Sequence, residues 1–381
     1  MNVQSDFVRS LPGDPAALSV QPSRLRRWHI DVPLLFLLAI VAAFGLIVLY
    51  SASGKDMGRV LRQLIYLGIS FTGLFVIAQF QVKTLKSLAP LGYTFGIVLL
   101  ILVAWIGDGA KGAQRWLDIF GLIRFQPSEL MKIAVPLTVA WYLADVVLPP
   151  KAQYLAVGLI IAVLPSLFIV MQPDLGTSLL IASSGLFALW LAGIRWRFLL
   201  GGAFLAIASA WPAWKFLLHD YQRSRIMTLF NPESDRLGAG WNIIQSKTAI
   251  GSGGFDGKGW LNGTQSHLDF LPESHTDFII AVLAEEFGFI GVLFLLIMYL
   301  LIIIRGVQIS LLAKNTFGRL AAGSITLTFF VYVLVNMGMV SGMLPVVGVP
   351  LPMVSYGGTA MVTMFASFGV LMAISTEGVN R

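Results

Sequence analysis

Cysteine is missing altogether from these 381 residues, and charge is scarce, at 12% of positions. The first absence excludes disulfides and thiolate catalysis, and it suits exposure to an oxidising compartment without proving it. The second excludes an ordinary soluble domain, where about a quarter of residues are charged. Histidine is rare too. His29, His219, His267 and His275 show neither HExxH nor any paired spacing, which argues against a zinc site. There is no GxSxG elbow, and no internal repeat, which weakens an inverted-repeat transporter. One glycine-rich stretch, 251–259, imitates a phosphate loop but fails its spacing. Ser252 stands where glycine is needed, and Gly259 replaces the required Ser or Thr.

What the chain has instead is long apolar runs. It is 57% hydrophobic, with a mean hydropathy of +0.81. Runs of spanning length fall at 33–50, 64–80, 88–106, 130–147, 154–170, 175–193, 198–218, 278–304, 320–343 and 359–374. These predict an all-α polytopic membrane protein of about ten transmembrane helices, with a long extracytoplasmic loop (219–277) between the seventh and eighth. Residues 1–31 form a polar cytoplasmic tail, and 32–381 form a single transmembrane domain. Arg24, Arg26 and Arg27 ahead of the first run resemble a signal-peptide n-region, but the run is long enough to be an uncleaved anchor.

Lysine and arginine set the orientation. With the N-terminus inside, Arg24, Lys83, Lys86, Lys151, Arg195, Arg197, Arg305, Lys314 and Arg319 face the cytoplasm, as do both termini. The opposite short loops hold fewer cations, among them Lys55, Arg59, Lys111 and Arg115. The +7 net charge then reflects this bias and anionic lipid, so nucleic acid is not an expected partner.

Polar residues cluster on the outward side. Segment 107–116 carries Lys111, Arg115 and Trp116 and leads into Gln126-Pro127-Ser128-Glu129. Pro127 and Ser128 start a helix on which Glu129 and Lys132, three apart, are neighbours. Glu129 alone suits a dipole-favoured first turn. Lys132 lies a turn inside, where pairing at a cavity is favoured over snorkelling. Asp174, in the turn 171–177, reads equally as a cap or as a functional acid. In the long loop, Arg223 and Arg225 form a basic patch suited to a phosphate or to lipid headgroups. The Pro/Gly-rich segment 344–359, which includes Ser355, reads either as a cavity lining or as a plain outer loop. Asp277 sits where the long loop meets an apolar helix, two residues after His275, and could merely cap that helix. Glu285 and Glu286 follow about 12 Å deeper at 1.5 Å rise per residue, where carboxylates are usually functional.

Taken in order, eight motifs resemble the SEDS family (shape, elongation, division and sporulation) of polytopic glycosyltransferases. They are GAQRW (112–116), QPSELMK (126–132), QPDLGTS (172–178), AIGSGG (249–254), GKGW (257–260), LPESHTDF (271–278), AEEFG (284–288) and LPVVGVPLPMVSYGG (344–358). GKGW followed by Gly263-Thr264-Gln265-Ser266 is similar to the RodA elongation branch rather than the FtsW division branch. The resemblance implies polymerisation of lipid II into β-1,4-linked glycan, with undecaprenyl pyrophosphate leaving. It places the family's catalytic acid on Asp277 as general base, the family's cavity pair on Glu129 and Lys132, and its QPDLG acid on Asp174. Lys111, Arg115, Arg223 and Arg225 are candidates to meet the pyrophosphate, with His275 and Ser355 also facing substrate. Glu285, Glu286 and Trp116 are structural support. A divalent cation, Mg2+ or Mn2+, could assist, with its ligands unknown; no organic cofactor is expected. Implied partners are a class B penicillin-binding protein and other elongation-complex membrane proteins. The rival readings are a lipid II flippase, an FtsW-type septal polymerase and a noncatalytic scaffold.

Overall fold

The computed structural model describes residues 28–377 except 107, 111–112, 120–122, 218–219, 236–237 and 268–273. Helices carry it. α1 (Val32–Ala52), α2 (Met57–Ala78) and α3 (Val82–Ile106) are followed by α4 (Pro127–Leu143), α5 (Ala152–Met171), α6 (Leu175–Leu191) and α7 (Trp196–Pro212). The long loop contributes α8 (Asp220–Phe230), α9 (Ala239–Gly253) and the single turn α10 (Thr264–His267). α11 (Ile279–Leu312), α12 (Thr316–Val340) and α13 (Gly358–Ser375) complete the chain. By length and composition, α1, α2, α3, α5, α11, α12 and α13 can each cross a membrane. The other three sequence-predicted spans coincide with the shorter α4, α6 and α7.

Helix starts follow local chemistry. Asp31 caps α1 by accepting from Leu34 N (3.2 Å), and Asp56 caps α2 by accepting from Gly58 N (2.8 Å). Asn315 caps α12 through Gly318 N at 2.6 Å. α4 and α12 form the centre. α4 packs against α3, α5, α6, α12 and α13, and α12 packs against α6 and α11. α12 is accordingly the most enclosed of the spans, whereas α3 shows most of its surface to the outside. α7 packs chiefly on the turn that follows it (Ala213–Leu217).

The all-α membrane fold is borne out, with two local departures. Not every element is a helix. β1 (Asp108–Ala110), β2 (Ala113–Ile119) and β3 (Ile123–Phe125) form an antiparallel sheet in the loop between α3 and α4. The turn residues of 107–112 had pointed only to a loop. The apolar alternation Leu117, Ile119 and Ile123, Phe125 is the strand signal beside them.

Nor is α11 one continuous span. Gly288 has φ 62°, ψ −161°, which interrupts the helix. The cause is the chain 253–259 pressed against it. A Cβ on Gly253 would stand 2.0 Å from Ala284 O, and one on Gly257 2.2 Å from Glu286 O. Carbonyls freed by the break are satisfied by that chain, through Lys258 N to Glu285 O (3.0 Å) and Gly259 N to Glu286 O (2.9 Å). Residues 289–312 alone rise about 36 Å, enough to cross a bilayer. Glu285 and Glu286 precede this break, in a short segment where both are buried within the protein.

At the other end of the molecule, Arg305 of α11 grips Asp31 through Nη2 to Oδ2 (2.7 Å) and Nε to Oδ1 (3.1 Å). Ser375 of α13 donates to the same carboxylate. Burial pushes the Asp31 carboxyl up, but the Arg305 guanidinium, with Ser375 and Leu34 N, holds it below its ordinary value.

Candidate active site

The turn 274–278 that carries Asp277 is fixed through its main chain. Asn336 of α12 donates Nδ2 to Asp277 O (2.9 Å) and to Val349 O (2.7 Å). Ser355 Oγ donates to Thr276 O (2.6 Å) while accepting from Leu351 N (2.8 Å). Tyr356 N donates to His275 O (2.9 Å), and Ser274 Oγ to Ala52 O (3.0 Å). Gln63 of α2 backs the arrangement through Ser355 O at 3.1 Å. Because these bonds all use main-chain atoms of the turn or its neighbours, they set the direction in which the Asp277 side chain leaves the backbone. Asp277 is half-buried. Its Oδ2 lies 3.5 Å from where a Cβ on Gly348 would stand, and Gly348 has φ +75°, a conformation that favours glycine.

Beside this turn lies the second constellation. Lys132 Nζ is 2.6 Å from Glu129 Oε1, and Thr363 of α13 donates to Glu129 Oε2 at 2.8 Å. Lys132 also sits 5.0 Å from the centroid of the Tyr332 ring, within cation–π range. A narrow cavity of about 40 Å³ runs past Lys132, Tyr332, Thr363, Leu351 and Ser355. Tyr332 and Asn336, four apart on α12, share a face, so one helix touches both Lys132 and the Asp277 turn. Of the Pro/Gly-rich segment, residues 350–353, Ser355 and Gly357 line the cavity, in keeping with the cavity-lining alternative.

The third group is Asp174. It caps α6 through Thr177 N (3.2 Å), but it also receives Arg115 Nη1 at 3.6 Å and Gln126 Nε2 at 3.4 Å while almost wholly buried. The cap reading is thus realised, and the same carboxylate is also ion-paired. Its turn packs on 344–357, since a Cβ on Gly176 would stand 2.9 Å from Val347 O.

The sequence candidates divide accordingly. Asp277, His275, Ser355, Glu129, Lys132 and Asp174 converge at one end of the bundle. The Ser355 hydroxyl is occupied by Leu351 and Thr276, which makes it a positioning group. Arg115 needs correction as an anion-binding cation. It donates Nε to Gln172 O (3.1 Å) and Nη2 to Pro173 O, clamping the Asp174 turn. Arg223 is likewise spent locally, on Trp214 O (3.0 Å), Lys215 O (3.1 Å) and Asp220 (3.5 Å). Arg225 sits half-buried on α8, which packs on the turn Pro232–Asp235 and on α9. Lys111 lies outside the described residues. Trp116 is half-buried in β2, opposite Asp108.

Glu285 is structural support, but of a loop rather than of a cavity. It accepts from Lys258 Nζ (2.6 Å), Thr264 N (2.8 Å), Thr264 Oγ1 (2.9 Å) and Gln265 N (3.1 Å). Glu286 accepts from Ser51 of α1. The rejected phosphate-loop imitation is explained here, because Lys258 turns back to Glu285. Residues that sequence reasoning missed are Gln63, Asn336 and Thr363. Asn336 had a signal, as a lone amide inside an apolar run. Among the described residues no three His, Asp or Glu side chains cluster as a metal-binding set.

Residues 32–380 match the family model for the FtsW/RodA/SpoVE cell cycle proteins. The peptidoglycan glycosyltransferase MrdB of Escherichia coli strain K12 is 51% identical, over 93% of this chain and 97% of its own. Among solved structures, a chain from work on the structural coordination of polymerization and crosslinking by a peptidoglycan synthase complex aligns with TM-score 0.80. It is 30% identical and covers 91% of this chain and 97% of its own. The rod shape determining protein RodA of Thermus thermophilus aligns with TM-score 0.68 at 28% identity, covering 91% of this chain and 96% of its own.

Proposed function

This chain belongs to the FtsW/RodA/SpoVE family, as a peptidoglycan glycosyltransferase of the RodA branch in the bacterial inner membrane, and on that premise we propose that Asp277 is its general base. The acceptor sugar of one lipid II molecule presents its 4-hydroxyl to the Asp277 carboxylate. As the proton passes to Asp277, the hydroxyl oxygen attacks the anomeric carbon of the donor from the face opposite the leaving group. The new β-1,4 C–O bond forms as the bond to undecaprenyl pyrophosphate breaks, and the departing oxygen takes the electron pair. A positioned base of this kind contributes roughly 10²–10⁴-fold.

The observation that carries this role is the main-chain fixation of 274–278 by Asn336, Ser355 and Tyr356. A base must be held within hydrogen-bond reach of its proton, and these bonds fix the backbone from which the Asp277 side chain projects. Glu129, Lys132 and Asp174 supply a charged wall behind it. With Arg115 and Arg223 bound to neighbouring carbonyls, stabilisation of the pyrophosphate falls to Lys132, which lines the cavity, to Lys111 or to a divalent cation. Mg2+ or Mn2+ would arrive with the phosphate oxygens, since Mg2+ commonly binds through substrate phosphates plus one or two carboxylates. The site faces outward with both termini cytoplasmic, and the transpeptidase partner is a class B penicillin-binding protein within the elongation complex.

Reconstituted Asp277→Asn protein supplied with labelled lipid II should lose at least about 10²-fold in glycan polymer, with expression and partner binding retained. Substantial polymer from the purified variant would remove Asp277 from the role of base.

A further inference from the structure

A groove of about 910 Å³ opens on the outside of the bundle between α5, α6, α7 and α12, far from Asp277. None of its lining residues is charged; Leu155, Leu159, Trp190, Phe198, Phe330 and Val331 give its character. It exists because α7 packs on the turn after it rather than closing against α6 and α12. α4 and α6 both start at the Asp277 end, so the turns that follow them lie at the opposite end. Those two turns meet there, since a Cβ on Gly193 would be 3.6 Å from Pro149.

The mouth of the groove is basic. Lys151 directly precedes the lining residue Ala152, and Arg195 and Arg197 lie between the lining residues Ile194 and Phe198. All three cations are exposed, and their side chains form no ion pair or hydrogen bond among the described residues. The acid in these turns, Asp145, is held by Lys86 at 2.8 Å. An uncharged channel with unneutralised cations at one end matches a molecule with an apolar chain and an anionic head. We propose that this groove binds an anionic phospholipid of the cytoplasmic leaflet, phosphate at Lys151, Arg195 and Arg197, acyl chain along α6 and α7. Its occupant is membrane lipid and not the substrate, whose sugars are joined at the other end.

The test is native mass spectrometry of protein extracted from nanodiscs of equal parts phosphatidylglycerol and phosphatidylethanolamine. The wild-type protein should retain phosphatidylglycerol in clear excess. The triple variant K151Q/R195Q/R197Q should lose that preference about tenfold or more, the scale expected when three surface cations are removed. Gly202→Phe keeps every cation but fills the groove, where a Cβ on Gly202 meets no atom within 4 Å; it should lower retention of phosphatidylglycerol. Equal retention of the two lipids by the wild-type protein means surrounding lipid only and overturns the proposal. So does an unchanged preference in the triple variant. Should that variant fail to fold, undiminished phosphatidylglycerol on Gly202→Phe overturns it equally.

Discussion

Two lysine–glutamate pairs in this protein have the same contact distance and opposite uses. Lys132 meets Glu129, and Lys258 meets Glu285, each at 2.6 Å. Glu285 is then surrounded by Thr264 and Gln265, whose backbone and hydroxyl donors crowd Oε1 alongside Lys258. The side chain is fully buried, so no ligand reaches it, and it ties the loop 254–265 to the broken start of α11. Glu129 has a single further partner, the Thr363 hydroxyl, and its lysine lines a cavity beside the Asp277 turn. The lesson is that a short ion pair says little about role. What distinguishes a lock from a site is how many acceptor positions the protein has already filled, and whether space adjoins them.

Reversing charges tests this directly. Glu285→Lys or Lys258→Glu should each destabilise the protein by about 3–5 kcal/mol, because a buried charge loses its partner. The combined reversal should recover almost none of it. Lysine at 285 would face the N–H groups of Thr264 and Gln265, and a lysine cannot accept. Thermal unfolding in detergent and protease sensitivity of 254–265 would read this; full recovery would show that the pair acts alone. At Glu129 and Lys132 the expectation is the reverse. Single reversals should cost polymerisation about 10²-fold while the double reversal restores about tenfold, since the Thr363 hydroxyl can donate or accept. No recovery would mean that orientation within the pair, and not pairing, is required.

A smaller effect separates the carboxylate oxygens of Glu129. Thr363→Val removes one donor to a charged group, worth about 1.5–3 kcal/mol in a buried setting. It should lower activity more than it lowers the unfolding temperature; the opposite pattern would make Thr363 a packing residue. The smallest expected change lies at the far end, where Asp31 resembles Glu285 in being fully occupied. Its folded pKa is depressed, so its contribution is present above about pH 4, its ordinary carboxylate value, and is lost as pH falls through the folded value. Asp31→Asn should remove that acid-side loss from the unfolding profile. An unchanged profile would assign the pH dependence to another acid.

Much of the architecture was legible because the membrane imposes a simple rule. Lipid cannot hydrogen-bond a backbone, so spans must be long apolar helices, and each apolar run has a helix in the structure. The small sheet was less legible, since Gly and Lys in 107–112 obscured a short alternation. The acids showed the limits of spacing. The spacing placed Glu285 on one continuous helix, whereas Gly288 breaks that helix three residues on. Arg115 and Arg223 looked available because sequence does not reveal which carbonyls will lie near a guanidinium. Motif order, by contrast, brought out Asp277, Glu129, Lys132 and Asp174 together.

The sequence by itself determined the membrane class, the family and the acids to suspect, since these depend on composition and on ordered local motifs. Tertiary structure alone decided which charges remain at the site. Asn336 and Tyr356 reach the Asp277 turn from α12 and the chain beside α13, Gln63 of α2 braces Ser355 behind it, and Lys258 reaches Glu285 across 27 positions. Hydrogen-bond partners so distant in sequence are chosen by packing, because only folding determines which donor will be nearest to a buried acceptor.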